Sequence, residues 1–450
     1  MKKLFIVCLV TLIFACKEEP KMDYTLFSGQ IENPTAQVIS IYNGRDKVKD
    51  LPLNESNSFS DTLRIEPGYY TLSHGRESSS IFLAPGYDIK VTLNTKEFDE
   101  TISYSGKGSE NNNYLAAKYM ANENANLDYT KVFALEEDEF LSKMNALKND
   151  KLKMLNNTAG LSEAFKTQEK KNIEYEYFSD LQNYWSYHSY YAKKEEFTPS
   201  EDFIQKFNSI DFNNQEDYAS LDSYKRLVQN YYNNKISKSD NPSEVFKDIN
   251  SNGFPQLKED LANSLRYNIG PNNEHNETLY KGLMAMSSNE KFKEDITKKY
   301  NKVKTLAKGM PSPEFVEYEN HKGGTTSLKD LKGKYVYVDV WATWCGPCIR
   351  EIPSLKKVEE EFHDKNIAFV STSIDKAKYH NTWVEMVKNK NLGGIQLMAD
   401  NDWNSQFVKD YAIEGIPRFI LIDPEGNIVS ADAPRPSDPK LIKIFKELKI

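Results

Sequence analysis

The sequence predicts a multidomain chain with a small N-terminal β-sandwich or barrel, a central α-helical region and a C-terminal α/β domain. Three observations carry this expectation. The 450 residues exceed what one hydrophobic core ordinarily organises. The apolar pattern changes along the chain, from short alternating runs to helical spacing and then to apolar strands separated by helices. Turn-forming clusters mark the changes. A composition of 39% hydrophobic and 28% charged residues fits globular material. The formal net charge of −8 argues against a nucleic-acid partner, which would call for a basic face. No fixed-period repeat is present.

Residues 23–105 read as β-structure. Runs such as Gln37 to Tyr42, Tyr69 to Leu72 and Asp88 to Leu93 alternate polar with apolar residues, and Asn43-Gly44, Glu66-Pro67-Gly68 and Ala84-Pro85-Gly86 punctuate them. Six or seven short strands are expected. Residues 106–305 read as helix. Phe140, Met144, Leu147 and Met154 fall near one face, as do Ile173, Tyr177, Leu181, Tyr184 and His188. Breaks are expected at Asn241-Pro242, Gly253 to Pro255 and Gly270-Pro271. The aromatic stretch YEYFSDLQNYWSYHSYY reads as packing, with His188 a packed histidine, so this region is assigned no chemistry of its own.

In residues 306–450, Lys334 to Trp341 and Ile367 to Ile374 read as buried strands, each followed by a helix (near Pro347 to His363 and Tyr379 to Asn391). A short strand at Ile395 to Met398 and a short helix at Trp403 to Tyr411 follow. Pro424-Glu425-Gly426 marks a hairpin, and Asp438 to Leu448 closes the domain as a helix.

The N-terminus is set apart from all of this. Lys2 and Lys3 precede an apolar run from Leu4 to Phe14, too short to span a bilayer, which takes about 20 residues, but of signal-peptide length. Residues 1–15 are therefore expected to be a signal peptide. The stretch Ile13-Phe14-Ala15-Cys16 resembles a bacterial lipobox, which implies lipidation of Cys16. Residues 16–22, with Lys17-Glu18-Glu19-Pro20, would form a polar tether, and it resembles the export signals of some Bacteroidetes surface lipoproteins. The β-region, with FSGQI, GYYTL and FLAPGYDIKVTL in order, resembles the β-domain that precedes thioredoxin-like modules in such lipoproteins.

Cysteine usage narrows the chemistry. Of four Cys, Cys8 leaves with the signal peptide and Cys16 carries lipid, so Cys345 and Cys348 are the thiols that remain. With no second pair, and with histidines scattered at 74, 188, 275, 321, 363 and 380, a metal site is not expected. No cofactor is expected either. The segment from Val338 to Cys348, VDVWATWCGPC, resembles the thiol–disulfide oxidoreductases of the TlpA and ResA type within the thioredoxin superfamily, and residues 309–450 follow their strand and helix order.

The spacing has a physical basis. Cys345 stands where a strand ends and a helix begins, so helix amides and the dipole favour its thiolate. Cys348 lies one turn on, within reach for a disulfide. Pro347 is tolerated in a first turn, where its missing N–H would have been an orphan. Trp344, Gly346 and Pro347 are expected to form the docking surface. In exchange, the Cys345 thiolate attacks a target disulfide and Cys348 then resolves the mixed disulfide, which requires a proton acceptor. Two carboxylates are candidates. Asp339 matches the buried aspartate of thioredoxins, and Glu351, in REIP, matches the active-site glutamate of ResA-like proteins. Many such relatives carry Asn where Asp339 stands, so holding both acids is a departure. Ile416-Pro417 resembles the cis-proline that faces the disulfide in thioredoxin relatives, although Arg418 replaces the usual Thr after it.

These features imply a membrane-anchored oxidoreductase, more a reductase than an oxidase, because Cys-Gly-Pro-Cys resembles the motif of reducing thioredoxins. Its partners would be disulfide-containing exported proteins and a transmembrane electron donor. Its location would be the cell envelope, facing the periplasm or the outer-membrane surface. A ligand- or protein-binding lipoprotein with a regulatory redox site is the alternative. A thiol peroxidase is a minor one, since Val338 and Ala342 stand where peroxiredoxins have Pro and Thr or Ser.

Overall fold

The computed structural model describes residues 22–194, 197–271 and 273–450; the leader and Cys16 lie outside the described residues. The chain divides into two compact units, 1–231 and 232–450.

The first unit begins with a sandwich of two four-stranded sheets. Its strands are β1 (Thr25–Glu32), β2 (Val38–Asn43), β3 (Asp46–Pro52), β4 (Ser58–Leu63), β5 (Gly68–His74), β6 (Glu77–Leu83), β7 (Asp88–Asn94) and β8 (Ser103–Lys107). The sheet orders are β4-β1-β7-β8 and β3-β2-β5-β6, and β1 and β7 pair in parallel while their neighbours pair antiparallel. Alternation drives this assembly: β1 and β7 bury every second residue, placing Phe27, Ile31, Ile89 and Val91 between the sheets against Ile39, Ile41 and Leu72. Eight strands form where six or seven were expected. The additional one is β8, which the sequence hides because SYSGK turns only Tyr104 inward.

Three long helices follow in this unit, Ser109–Ala125, Glu137–Asn157 and Glu163–Tyr191. Asn112 ties the first of them to the sheet: its side chain accepts from the Phe82 N–H at 2.7 Å and donates to the Phe82 carbonyl at 3.0 Å. One stripe of the aromatic stretch packs as expected, while Tyr187 and Tyr190 are exposed. Ile173, Tyr177, Leu181, Tyr184 and His188 are all buried, and His188 Nδ1 lies 2.8 Å from the Phe133 carbonyl. On the Glu137–Asn157 helix, Leu155 is buried in place of the expected Met154.

In the second unit, four helices between Pro242 and Lys304 precede a seven-stranded sheet. Its strands are β9 (Tyr318–Asn320), β10 (Thr325–Thr326), β11 (Tyr335–Trp341), β12 (Ile367–Ser373), β13 (Ile395–Met398), β14 (Arg418–Ile422) and β15 (Ile428–Ser430). They run in the order β10-β9-β13-β12-β11-β14-β15, with β11, β12 and β13 parallel and β14 antiparallel to β11. This is the expected α/β domain, extended at one edge by the β9–β10 hairpin, whose strands are too short to read from sequence.

Side chains on both faces of the sheet are buried. One face packs Val336, Val338, Val340 and Ile420 against Trp383 of the helix His380–Asn389. The other packs Tyr337, Phe369 and Phe419 against Leu355 and Val358 of the helix Gly346–Glu361 and Phe445 of the helix Lys440–Glu447. The helix Glu290–Lys304 is held to this domain by the ion pairs Lys299–Glu414 and Lys302–Asp410.

Candidate active site

Six of the seven residues of β11 are buried, and the strand delivers the chain directly into the loop that carries Cys345. The loop is short because a helix begins at Gly346. Cys345 is the N-cap, in an extended conformation, and its N–H donates to the Ala342 carbonyl at 3.0 Å. Cys348 closes the turn: its N–H points at Cys345 Sγ from 3.2 Å, and the two cysteines form a disulfide with Cα atoms 5.3 Å apart. Pro347 lies in this first turn, where no helix hydrogen bond is lost. In the disulfide form both cysteines are 4% exposed, so exposure does not distinguish them.

Around the disulfide the surface is mixed. Gly346 and Pro347 are exposed, and Trp344 is 55% exposed with its ring centroid 6.5 Å from that of Trp403. Ile416 packs against the apolar cluster that contains both cysteines, and the Ile416–Pro417 peptide bond is cis. Arg418, opposite Val340 in the ladder, pairs with Asp432 at 3.1 Å.

The two carboxylates stand in different environments. Asp339 lies in β11 between Ser371 of β12 and Phe419 of β14. Alternation puts it on the Tyr337 face, under the helix Gly346–Glu361. Its Oδ1 has no hydrogen-bond partner among the described residues. Burial, reinforced by the negative charges of Glu359 and Glu351 and opposed by the Ser371 hydroxyl, pushes its carboxyl up to about 8. Glu351 is half-buried and held, its carboxylate accepting from the Ser437 N–H at 3.0 Å and the Ser437 hydroxyl at 2.9 Å.

Two further residues belong to this site and escape sequence reasoning. Asp375, 1% exposed, accepts three hydrogen bonds: from the Thr343 N–H and hydroxyl, each at 2.8 Å, and from the Ser373 hydroxyl at 2.7 Å. It thereby staples the Cys345 loop to the end of β12. Glu359, two turns beyond Glu351, is raised by burial to about 7 against the opposing charge of Lys356. Its carboxylate occupies space that only glycine leaves open, since a Cβ on Gly393 would lie 2.2 Å from Oε2. Nothing in the local sequence distinguishes Asp375 or Glu359 from a strand-end turn or a solvated helix charge.

A mixed sheet with covered faces and a disulfide at the start of the helix after its central strand define a domain of the thioredoxin superfamily. More particularly, the C-terminal region matches the Redoxin family over residues 307–442. It is homologous to thiol-disulfide oxidoreductase ResA of Bacillus subtilis (strain 168), 30% identical over 127 residues, or 28% of this chain and 66% of that protein. The chain thus spans just under two thirds of the length of that relative. Thioredoxin-like protein YneN of the same organism is 28% identical over 123 residues, covering 27% of this chain and 69% of that one. Among solved structures, the thioredoxin domain of a thiol-disulfide oxidoreductase from Bacteroides vulgatus is 31% identical, covering 32% of this chain and 98% of that one, with a TM-score of 0.29. A thiol:disulfide interchange protein from Bacteroides sp. is also 31% identical, covering 32% and 93%, with a TM-score of 0.29.

The environment of Asp339 makes a prediction about stability. Its folded value of about 8 lies above the ~3.9 of an unfolded aspartate, so the native state holds the extra proton between those values. Native stability therefore falls as pH rises through that window. Asp339→Asn removes this dependence, and is expected to gain on the parent by up to about 5 kcal/mol between pH ~4 and pH ~8. Urea unfolding of the oxidised protein at about pH 5, 7 and 9 measures the difference; one that does not change with pH would remove Asp339 from the protonated, buried class.

Proposed function

We propose that the protein is an exported, lipid-anchored thiol–disulfide oxidoreductase that reduces disulfides of exported proteins through Cys345 and Cys348. Its electrons would come from a transmembrane donor. The observation that carries this reading is the Cys345 sulfur at a helix N-cap with the Cys348 N–H directed at it. In the reduced protein the same N–H and the helix dipole favour a thiolate at Cys345 over one at Cys348.

The reaction balances in two displacements. The Cys345 thiolate attacks one sulfur of the target disulfide; a Cys345–target bond forms and the other target sulfur leaves as a thiolate. Cys348 then loses its proton and attacks Cys345 Sγ. The Cys345–Cys348 disulfide forms, the second target sulfur leaves, and two electrons have passed to the target. Trp344, Gly346 and Pro347, with Ile416 and Pro417 on the other side, would receive the extended target segment, as in the family this region resembles. Asp339 is the proton acceptor in this reading in its ionised form, whose share grows as pH rises toward about 8. Its value of about 8 lies close to the ~8.5 of an ordinary thiol, so transfer from Cys348 is nearly balanced, whereas both Glu351 oxygens already accept from Ser437. Attachment to a membrane would be through lipid on Cys16, and among the described residues no helix is long and apolar enough to cross one.

Cys348→Ser is expected to accumulate mixed disulfides with exported proteins in cells, and Cys345→Ser to accumulate none. Non-reducing gels and mass spectrometry of the adducts check this, and trapping by Cys345→Ser alone would reverse the roles. In a second measurement, release of a preformed mixed disulfide should slow by ~10- to 1000-fold in Asp339→Asn and much less in Glu351→Gln. The opposite ranking would transfer the base to Glu351. The anchor is tested apart from the chemistry: wild type should incorporate labelled palmitate and Cys16→Ser should not.

A further inference from the structure

The helices of the first unit line a partly open cavity of about 290 Å³ between the end of Ser109–Ala125, Glu137–Asn157 and Glu163–Tyr191. The volume is at the lower end of ligand sites, which run from ~300 Å³ upward. Tyr129, Leu147, Lys148, Lys151, Tyr177 and Asp180 line it. Its polar groups are convergent, and almost all of its charges are already answered. Lys151 pairs with Glu176 at 2.9 Å, and Glu176 is also bound by Lys118 at 2.9 Å. Lys148 reaches Glu174 at 3.4 Å and lies over the Tyr177 ring, 4.1 Å from its centroid.

Exposed Glu123 and half-buried Asp180 are the exceptions, and Asp180 is the one that burial makes costly. It makes no hydrogen bond and no ion pair among the described residues, although it sits in the middle of the helix whose other buried carboxylate, Glu169, is bound by Lys118 at 2.8 Å and by the Tyr69 hydroxyl. Burial pushes Asp180 up to about 6, with Lys151 opposing and Glu176 reinforcing the shift. A half-buried carboxylate with no partner of its own, set beside tyrosine rings in a cavity, is costly in the free protein and is matched by a cation.

We infer that this cavity is a binding site for a small organic ammonium compound, held by Asp180 and by the ring of Tyr129, which is 47% exposed. The other ligand classes fit less well. An anion would meet two lysines whose charges are already engaged, and beside them Asp180 and Glu123. An apolar ligand would strip water from Asp180 and give nothing in return. The site lies in the region to which the sequence assigns no chemistry, and it does not depend on the redox reading.

Choline, whose charge does not titrate, and putrescine are suitable probes, with acetate as the anionic control; binding is read by calorimetry and ligand-observed NMR on the full chain. At least one amine is expected to bind, acetate is not, and Asp180→Asn should weaken the amine by about tenfold or more. Leu147→Trp leaves the charges in place and fills the cavity, so it should also abolish binding. Choline affinity should fall as pH drops through about 6, where Asp180 takes up a proton. The charged and titratable groups that line or adjoin the cavity are Lys148 and Lys151 from one helix, Glu176 and Tyr177 from the helix of Asp180, Glu123 from the helix before, and Tyr129. No amine binding at about 10 mM, or equal binding by wild type and Asp180→Asn, would overturn the assignment.

Discussion

The redox site depends on the double pairing of β11. The strand is bonded to β12 on one side and β14 on the other, and helices cover both faces of the sheet. A side chain at position 339 is therefore largely shut off from water, and this makes its carboxyl unusual. The same pairing sets the register. A one-residue slip would exchange the valine face with the face of Tyr337 and Asp339, so the apolar pattern holds the acid under the active-site helix. Chain direction then decides the rest. The strand runs toward Trp341, the loop that follows is only long enough to turn, and the first helical amides meet a cysteine sulfur.

Much of this domain is legible in sequence because parallel, fully covered strands leave continuous apolar runs, as in Tyr335–Trp341 and Ile367–Ser373. Cys-Gly-Pro-Cys is legible for a related reason: its spacing is local, so one helical turn completes the geometry. What escapes depends on contacts distant in sequence. The role of Asp375 exists because the ends of β11 and β12 are neighbours, which brings it to Thr343 across 32 positions. Glu351 reads as an acid beside the cysteines, but its partner is Ser437, 86 positions away. Short strands fail differently. In β8, β9 and β10 too few residues face inward for any period to emerge.

The helical region shows the same limit from the other side. Its aromatic stripe reads as packing, and Tyr184, against Phe140 at 4.0 Å between ring centroids, packs. On one helix, however, Tyr177 and Asp180 reach the rim of a cavity whose other walls come from positions 122 to 151. Periodicity identifies which face of a helix is covered. It does not reveal where three covered faces fail to meet.

The buried acids of the chain separate into two kinds, and the separation bears on function. Asp375 and Glu169 are fully partnered, the first by three hydrogen bonds and the second by a lysine and tyrosine hydroxyls. A carboxylate so engaged holds distant segments together, and its charge is spent in doing so. Asp339 and Asp180 are placed beside other charges and are incompletely partnered, one with an oxygen unbonded and the other with no hydrogen bond at all among the described residues. Burying such a group destabilises the fold, and a neutral residue of similar shape would avoid the cost. The cost is understandable where the empty position is used. At Asp339 the missing partner is a proton that can be taken up and released near neutral pH, under the helix that begins at the dithiol. At Asp180 it is a cation, and a cavity is open in front of it.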